Sequence, residues 1–280
     1  MSVRIITDST CDVSAGVLPR LTVVPLTVHF GDREYIDGVT ITKREFYEKL
    51  IESDEMPHTS QATPAAFEAV FAQVAEAGDT AVVLTISEKL SGTYQSAVIA
   101  AAEYPGIIHV VDTQNACIGS GILVELALRL ADAGRSAEEI AEELTREREN
   151  VCLIALLDTL EYLKKGGRIS RLAAFAGGIL AIKPVVRIAD GEIQILGKAR
   201  GSKQGNNLLV NEIEKTGGVD FSRPVLLGYS GLNDDLLQKY IADSRPLWAE
   251  SPEPLRITDI SSVIGTHAGP GAIAAAFFHK

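Results

Sequence analysis

Short runs of β-branched and other apolar residues alternate with helix-forming stretches through the first half of this chain, and few folds accept that order. "VRIITD" (3–8), "AVVLTIS" (81–87), "IIHVVDT" (107–113) and "VCLIALLD" (151–158) have the composition of strands buried on both faces. The helices between them are marked by their ends. Thr42 and Glu45 form a capping box ahead of "KREFYEKLIES"; Thr63-Pro64 opens "PAAFEAVFAQVAEA" and Gly78 closes it; Ser136 with Glu139 starts "AEEIAEELTRERE". Strand, helix and strand in succession predict a parallel sheet over residues 1–150.

Beyond residue 150 the rhythm changes. Asp190-Gly191 between "PVVRIA" and "EIQILGKA" is a hairpin signal. A helix is expected near Asn206 to Lys215, followed by the strand "PVLLGYSG", the helix "DDLLQKYIADS", the strand "LRITDIS" and a last helix starting at Pro270. The expected fold class is therefore α/β in two domains: an N-terminal parallel, Rossmann-like α/β domain over 1–150 and a C-terminal α+β domain over 151–280.

Composition agrees with a folded, two-core protein. The chain has 280 residues, and its 46% of hydrophobic residues suffices to fill both cores. A net charge of -11 argues against a general nucleic-acid or anionic-membrane surface, which needs a basic face. Cys11, Cys117 and Cys152 are odd in number and form no C-x-x-C pair, so neither a disulfide framework nor a cysteine zinc site is suggested. A reducing cytoplasm is the expected compartment. Asp8 interrupts the first apolar run, and no stretch reaches the roughly 18 apolar residues of a membrane span.

In open α/β sheets ligands gather beyond the carboxyl ends of the strands. Here those ends read "DSTCD", "SEKLSGT", "DTQNA", "YSG" and "GTHAGPG", rich in hydroxyls and glycines and poor in clustered metal ligands, so no metal is expected. Ser91 and Gly92 stand where "TYQSAVIAAAE" begins a helix, a position whose free N–H groups suit a carboxylate or phosphate. Ser91 there is an anion clamp, a plain helix cap, or a nucleophile; the G-x-S-x-G elbow of common α/β hydrolases is absent. His267 lies among Gly265, Gly269 and Gly271, which predicts a tight loop that brings an imidazole and backbone N–H groups onto one small ligand. Neither G-x-G-x-x-G after the first strand nor G-x-x-x-x-G-K-[ST] occurs, so the chain lacks a familiar ATP loop.

Taken together, "IITDSTCDV", "HTSQATPAAF", "LSGTYQSA", "VVDTQNACIGSG", "YLKKGGRIS", "AIKPVV" and "IGTHAGPGAIA" resemble the successive motifs of the DegV family, in the family's order and over essentially the whole chain. Departures are small: Glu88 follows Ser87 where a second serine is common, and Ala62 stands where a proline often follows the S-Q pair. The resemblance implies a protein that holds a long-chain fatty acid between its two domains. It implies the lipid-carrying subunit of a bacterial fatty acid kinase, which presents the carboxylate to a separate ATP-binding subunit for conversion to an acyl phosphate used in phospholipid synthesis. The carrier would not itself be an enzyme and would need no cofactor beyond the bound fatty acid.

By position in the matching motifs, Thr59, Ser60, Ser91, Gly92 and His267 would surround the carboxylate. In "RLAAFAGGILAI", Leu172, Phe175, Ala176, Ile179 and Leu180 fall at helical spacing and are candidates for the acyl-chain pocket, or for ordinary core. Arg168, in "KKGGRISR", lies in the motif that the resemblance links to docking of the kinase subunit, and its guanidinium suits a phosphate or a carboxylate. Peripheral membrane contact for lipid exchange is compatible with this reading. Two alternatives differ in class: a Ser91/His267 hydrolase acting on an ester, and a lipid-sensing module.

Overall fold

The computed structural model describes residues 2–169 and 182–280. In the first half the elements run β1 (Val3–Asp8), β2 (Thr22–Val24), β3 (Thr27–Phe30), β4 (Arg33–Ile36), α1 (Lys43–Glu52), β5 (His58–Ser60), α2 (Pro64–Glu76), β6 (Thr80–Thr85), α3 (Thr93–Ala101), β7 (Ile108–Asp112), α4 (Cys117–Asp132) and α5 (Ala137–Glu147). The second half runs β8 (Val151–Leu156), α6 (Glu161–Lys165), β9 (Ile182–Ala189), β10 (Glu192–Arg200), α7 (Gly201–Lys215), β11 (Leu226–Tyr229), α8 (Asp235–Asp243), α9 (Arg245–Trp248), β12 (Ile257–Asp259), α10 (Ser262–Ala268) and β13 (Ile273–Phe278).

Three sheets organise these elements. A parallel sheet has the order β2-β1-β6-β7, a small antiparallel sheet β4-β3-β5, and a mixed sheet β10-β9-β8-β13-β11-β12. The predicted parallel sheet is present, with its capping boxes at Thr42/Glu45 and Ser136/Glu139 and with Thr63 capping α2. Side chains alternate across it: Val82 and Leu84 pack with Ile140 and Leu144 of α5, while Ala81 and Val83 pack with Phe67 and Phe71 of α2. The parallel sheet uses residues before 113 and the mixed sheet residues from 151 onward. Helix α4 is buried on every side from Cys117 to Leu128 and lies between them.

The structure corrects the sequence reading at several places. "VCLIALLD" forms β8 of the mixed sheet, antiparallel to β9 and β13, because its apolar run suits any strand covered on both faces. The last helix expected from Pro270 is instead strand β13, with all six residues buried between β8 and β11. "IAAAFF" has helix-forming alanines, but a central strand pressed against α4 wants small side chains, and packing outweighs propensity. The helix, α10, includes Gly265 and ends before Gly269 and Gly271, so His267 sits in its last turn and not on a loop. The short strands β2 to β5 were not foreseen; each has only three or four residues. The Asp190-Gly191 hairpin is present, both residues taking positive φ, 51° and 77°. Among the described residues no helix is long and apolar enough to cross a membrane.

Candidate functional site

The inner face of the mixed sheet is the floor of a cavity of about 380 Å³. One cross-strand row sets its depth: Ala155 of β8 pairs with Ala274 of β13, which pairs with Gly228 of β11. Three small residues side by side leave a trough, bordered by Val186, by Leu153 of β8 and by Leu157 just past its end. Described lining residues reach from Ile193 on β10 to Ile260 just past β12. Five strand spacings of about 4.8 Å make that span roughly 24 Å. The roof comes from the carboxyl ends of the parallel sheet, with Thr10, Ile86, Ala116 and Cys117, and from Ile264 of α10 and Leu163 of α6.

Polar groups gather along one part of this apolar wall. Thr59 on β5 and His267 on α10 are 208 residues apart, and Thr59 Oγ1 lies 2.9 Å from His267 Nε2. Nδ1 of His267 is buried with no hydrogen-bond partner among the described residues. A Cβ on Gly166 would lie 2.2 Å from that nitrogen, so only a glycine lets α6 end against the ring. Burial, then the charge of Arg168, holds the imidazole down at about 4, so it is neutral at pH 7. An orphaned N–H is costlier than an orphaned lone pair. The proton is therefore assigned to Nε2, which donates to Thr59 and leaves the threonine O–H free to donate onward.

Ser91, Gly92, Gln61 and Arg168 complete the ring of polar residues on the cavity. Thr93 N–H donates to Ser91 Oγ at 3.3 Å, and the two hydroxyl oxygens are 2.9 Å apart, so Ser91 does cap α3 in part. A side chain at Gly92 would collide with Gln61, which lies across it and donates to Ser96 Oγ at 2.9 Å. Ser60 also borders the cavity, but its hydroxyl is engaged with His29 Nε2 at 2.9 Å. Arg168 donates from Nε to the Leu90 carbonyl (3.2 Å) and from Nη1 to that of Gly166 (2.6 Å), tying α6 to the loop before α3. The structure thus brings Thr59, Ser60, Ser91, Gly92, His267 and Arg168 to one cavity. The five acyl-pocket candidates Leu172, Phe175, Ala176, Ile179 and Leu180 lie outside the described residues. Among the described residues no three His, Cys, Asp or Glu side chains are placed to share a metal ion.

A family model described as an uncharacterised protein of the DegV family matches residues 2–280. The chain belongs to the DegV family. A DegV domain-containing protein of Caldanaerobacter subterraneus is 35% identical over 283 residues, covering 99% of each chain. The structure is similar to that of a DegV family protein from Thermus thermophilus described for its fatty acid binding, with 33% identity, a TM-score of 0.88 and coverage of 99% of this chain and 100% of that one. It is also similar to the Fatty Acid Kinase B3 protein of Streptococcus pneumoniae loaded with linoleic acid, with 26% identity, a TM-score of 0.85 and full coverage of both chains.

Three lining features of this DegV chain were not singled out in the sequence. Gln61 stands inside the quoted "TSQ" motif, where an amide beside two hydroxyls was a usable signal. Thr10 lies in the strand end "DSTCD", itself a signal, whereas Cys117 had none, since its place on the roof depends on how two distant loops meet.

Proposed function

We propose that this protein binds a long-chain fatty acid in the trough of the mixed sheet and presents its carboxylate at Thr59, Ser91, Gly92 and His267 to a separate ATP-binding kinase subunit. The observation that carries the reading is the pairing of an apolar cavity, floored by Ala155, Ala274 and Gly228, with hydroxyls and a neutral imidazole on its wall and Arg168 at its edge. A span of roughly 24 Å suits an extended chain of sixteen or so carbons. Burying each methylene is worth about 0.8 kcal/mol before ordering costs, so a lipid held there would survive purification.

The chemistry asked of the protein is modest. A fatty acid carboxylate is already ionised at pH 7, so its attack on a phosphoryl group requires no general base. Thr59, oriented by neutral His267, donates one hydrogen bond; Ser91 and the first N–H groups of α3 supply others. Neutral donors position the carboxylate without neutralising its nucleophilic oxygen, and the ATP-binding subunit brings the phosphoryl group to it. Arg168, exposed at the cavity edge, is proposed to meet that subunit or its phosphate. The same reading places the protein in the cytoplasm, with peripheral membrane contact during lipid exchange.

The hydrolase alternative is less well supported. It needs a serine hydroxyl bonded to a histidine that is oriented by a third group. Here Ser91 is bonded to Thr93, His267 Nε2 to Thr59, and Nδ1 has no partner among the described residues. Mass spectrometry of a denaturing organic extract tests the proposal: about one fatty acid per chain is expected, and an empty protein that also fails to bind added fatty acid would refute it.

A further inference from the structure

Helix α10 carries His267 in its last turn and begins without a cap of its own. Ser261, at the N-cap, makes no side-chain capping bond, although the first N–H groups of a helix have no partners within it. The acceptors come from the other half of the chain. Ser261 N–H donates to Asp12 Oδ1 at 2.8 Å, and Ser262 N–H to Asp37 Oδ1 at 3.3 Å. Both aspartates are buried, at 2% and 4% exposure. Lys43, first residue of α1, donates to the Asp259 carbonyl at 2.6 Å and carboxylate at 2.8 Å, and stands 3.6 Å from Asp12 Oδ1. One turn later Tyr47 donates to the Ile260 carbonyl at 3.2 Å.

We propose that Asp12 and Asp37 are the positioning residues of the Thr59–His267 pair, acting through the N-terminal end of α10. Thr59 is on β5, in the same half of the chain as both aspartates, whereas His267 must be brought to it from the other half. A seven-residue helix is only about 10 Å long, so a shift at its first turn reaches the ring nearly undiminished. The contact it must preserve is 2.9 Å, and a few tenths of an ångström beyond the ordinary range end it.

The choice of acceptor supports positioning over simple capping. A serine or aspartate within the helix would satisfy the same N–H groups at the surface. Instead two carboxylates are buried: burial pushes Asp12 up to about 6 against the opposing charge of Lys43, and raises Asp37 as well. Asp12 is faced by Lys43 and Tyr47 from α1, by Cys117 from α4 and by Asp37, with Asp259 across the shared Lys43; Asp37 is faced by Asp8, Ser9, Tyr47, Ser262 and Lys43. That cost is tied to holding one segment of the second half against three of the first.

Asp12→Ala and Asp37→Ala, which remove the acceptor oxygen that asparagine would keep, test the proposal by histidine NMR on the protein as purified. The chain has five histidines, and His267→Gln identifies the signal of interest. In the wild type His267 should resist protonation down to about pH 4. Each Ala variant should raise that midpoint by about one pH unit or more, as the ring leaves its seat beside Gly166. Glu125→Gln, which breaks the buried pair with Arg256 away from α10, should lower the melting temperature and leave the titration in place. An unmoved His267 titration in folded, less heat-stable Ala variants overturns the proposal. If neither variant folds, Lys43→Gln, at a partly exposed side chain, is read by the same criterion. The importance of the clamp for lipid rests on the proposed carboxylate site. Lipid extraction of the same samples separates the two: a moved titration with unchanged lipid keeps the clamp and refutes the site, and an unmoved titration refutes the clamp whatever the lipid does.

Discussion

Ala274→Leu should shorten the fatty acid that the proposed trough accepts. Ala274 is the middle of the small-residue row, with Ala155 on one neighbouring strand and Gly228 on the other, and it borders the cavity of about 380 Å³. Leucine adds three carbons where the acyl chain is proposed to cross. Displacing three ligand methylenes at about 0.8 kcal/mol each forfeits about 2.4 kcal/mol, or about 50-fold in Kd for a chain of full length. A fatty acid three carbons shorter should lose little. Displacement of a fluorescent fatty acid by a series of chain lengths measures the affinities, and mass spectrometry of the co-purified lipid gives the bound profile. Overpacking a core costs about 1–3 kcal/mol, so a thermal melt must first show the variant folded. A folded Ala274→Leu protein that binds eighteen-carbon acids within threefold of the wild type, with an unchanged lipid profile, would refute the trough as the path of the chain.

Thr59→Val keeps the branched shape and removes the donor; losing a hydrogen bond to a charged group costs about 1.5–3 kcal/mol, so the same displacement assay should show roughly 10- to 150-fold weaker binding. Ser91→Ala should weaken binding and also lower the melting temperature through loss of about 1 kcal/mol of helix cap, and a purely thermal effect would make Ser91 a cap alone. Arg168→Ala should leave the lipid content intact and reduce acyl phosphate formation with a cognate ATP-binding subunit, Arg168→Lys restoring only part; loss of lipid as well would show that Arg168, which borders the cavity, serves the lipid and not the partner. His267→Gln should alter how stability depends on pH. The unfolded chain protonates this histidine near 6.5 but the fold only near 4, so its burial removes about 3 kcal/mol as pH falls through that window. Asp12 acts oppositely, since its folded value of about 6 exceeds the unfolded 3.8 and acidification across that window adds about 3 kcal/mol. The wild type balances the two, and His267→Gln should gain stability relative to it between pH 7 and 4.5; parallel melting curves would show that His267 is not held neutral.

Much of this protein is determined locally and was legible in the chain itself. The parallel sheet follows from β-branched runs, and the helix starts at Thr42, Thr63 and Ser136 follow from side chains that bond N–H groups three residues on, interactions that need no tertiary partner. The Asp190-Gly191 hairpin belongs to the same class, because its turn is set by two residues that tolerate positive φ. The order of the motifs likewise pointed to the family and to Thr59, Ser91 and His267 as neighbours.

What the tertiary structure alone decided concerns residues whose state depends on distant partners. "IAAAFF" became a strand because β8, β11 and α4 surround it, against its own propensity. The missing side chains at Gly92 and Gly166 make room for distant residues, one for Gln61 and the other for the ring of His267. Asp12, Asp37 and Lys43 carry no local signal, because the N–H groups and carboxylate they hold come from residues 259–262, more than 200 positions away. Burial and long-range hydrogen bonding are properties of the packed molecule, and they set which hydroxyls, acids and rings of this chain face the cavity.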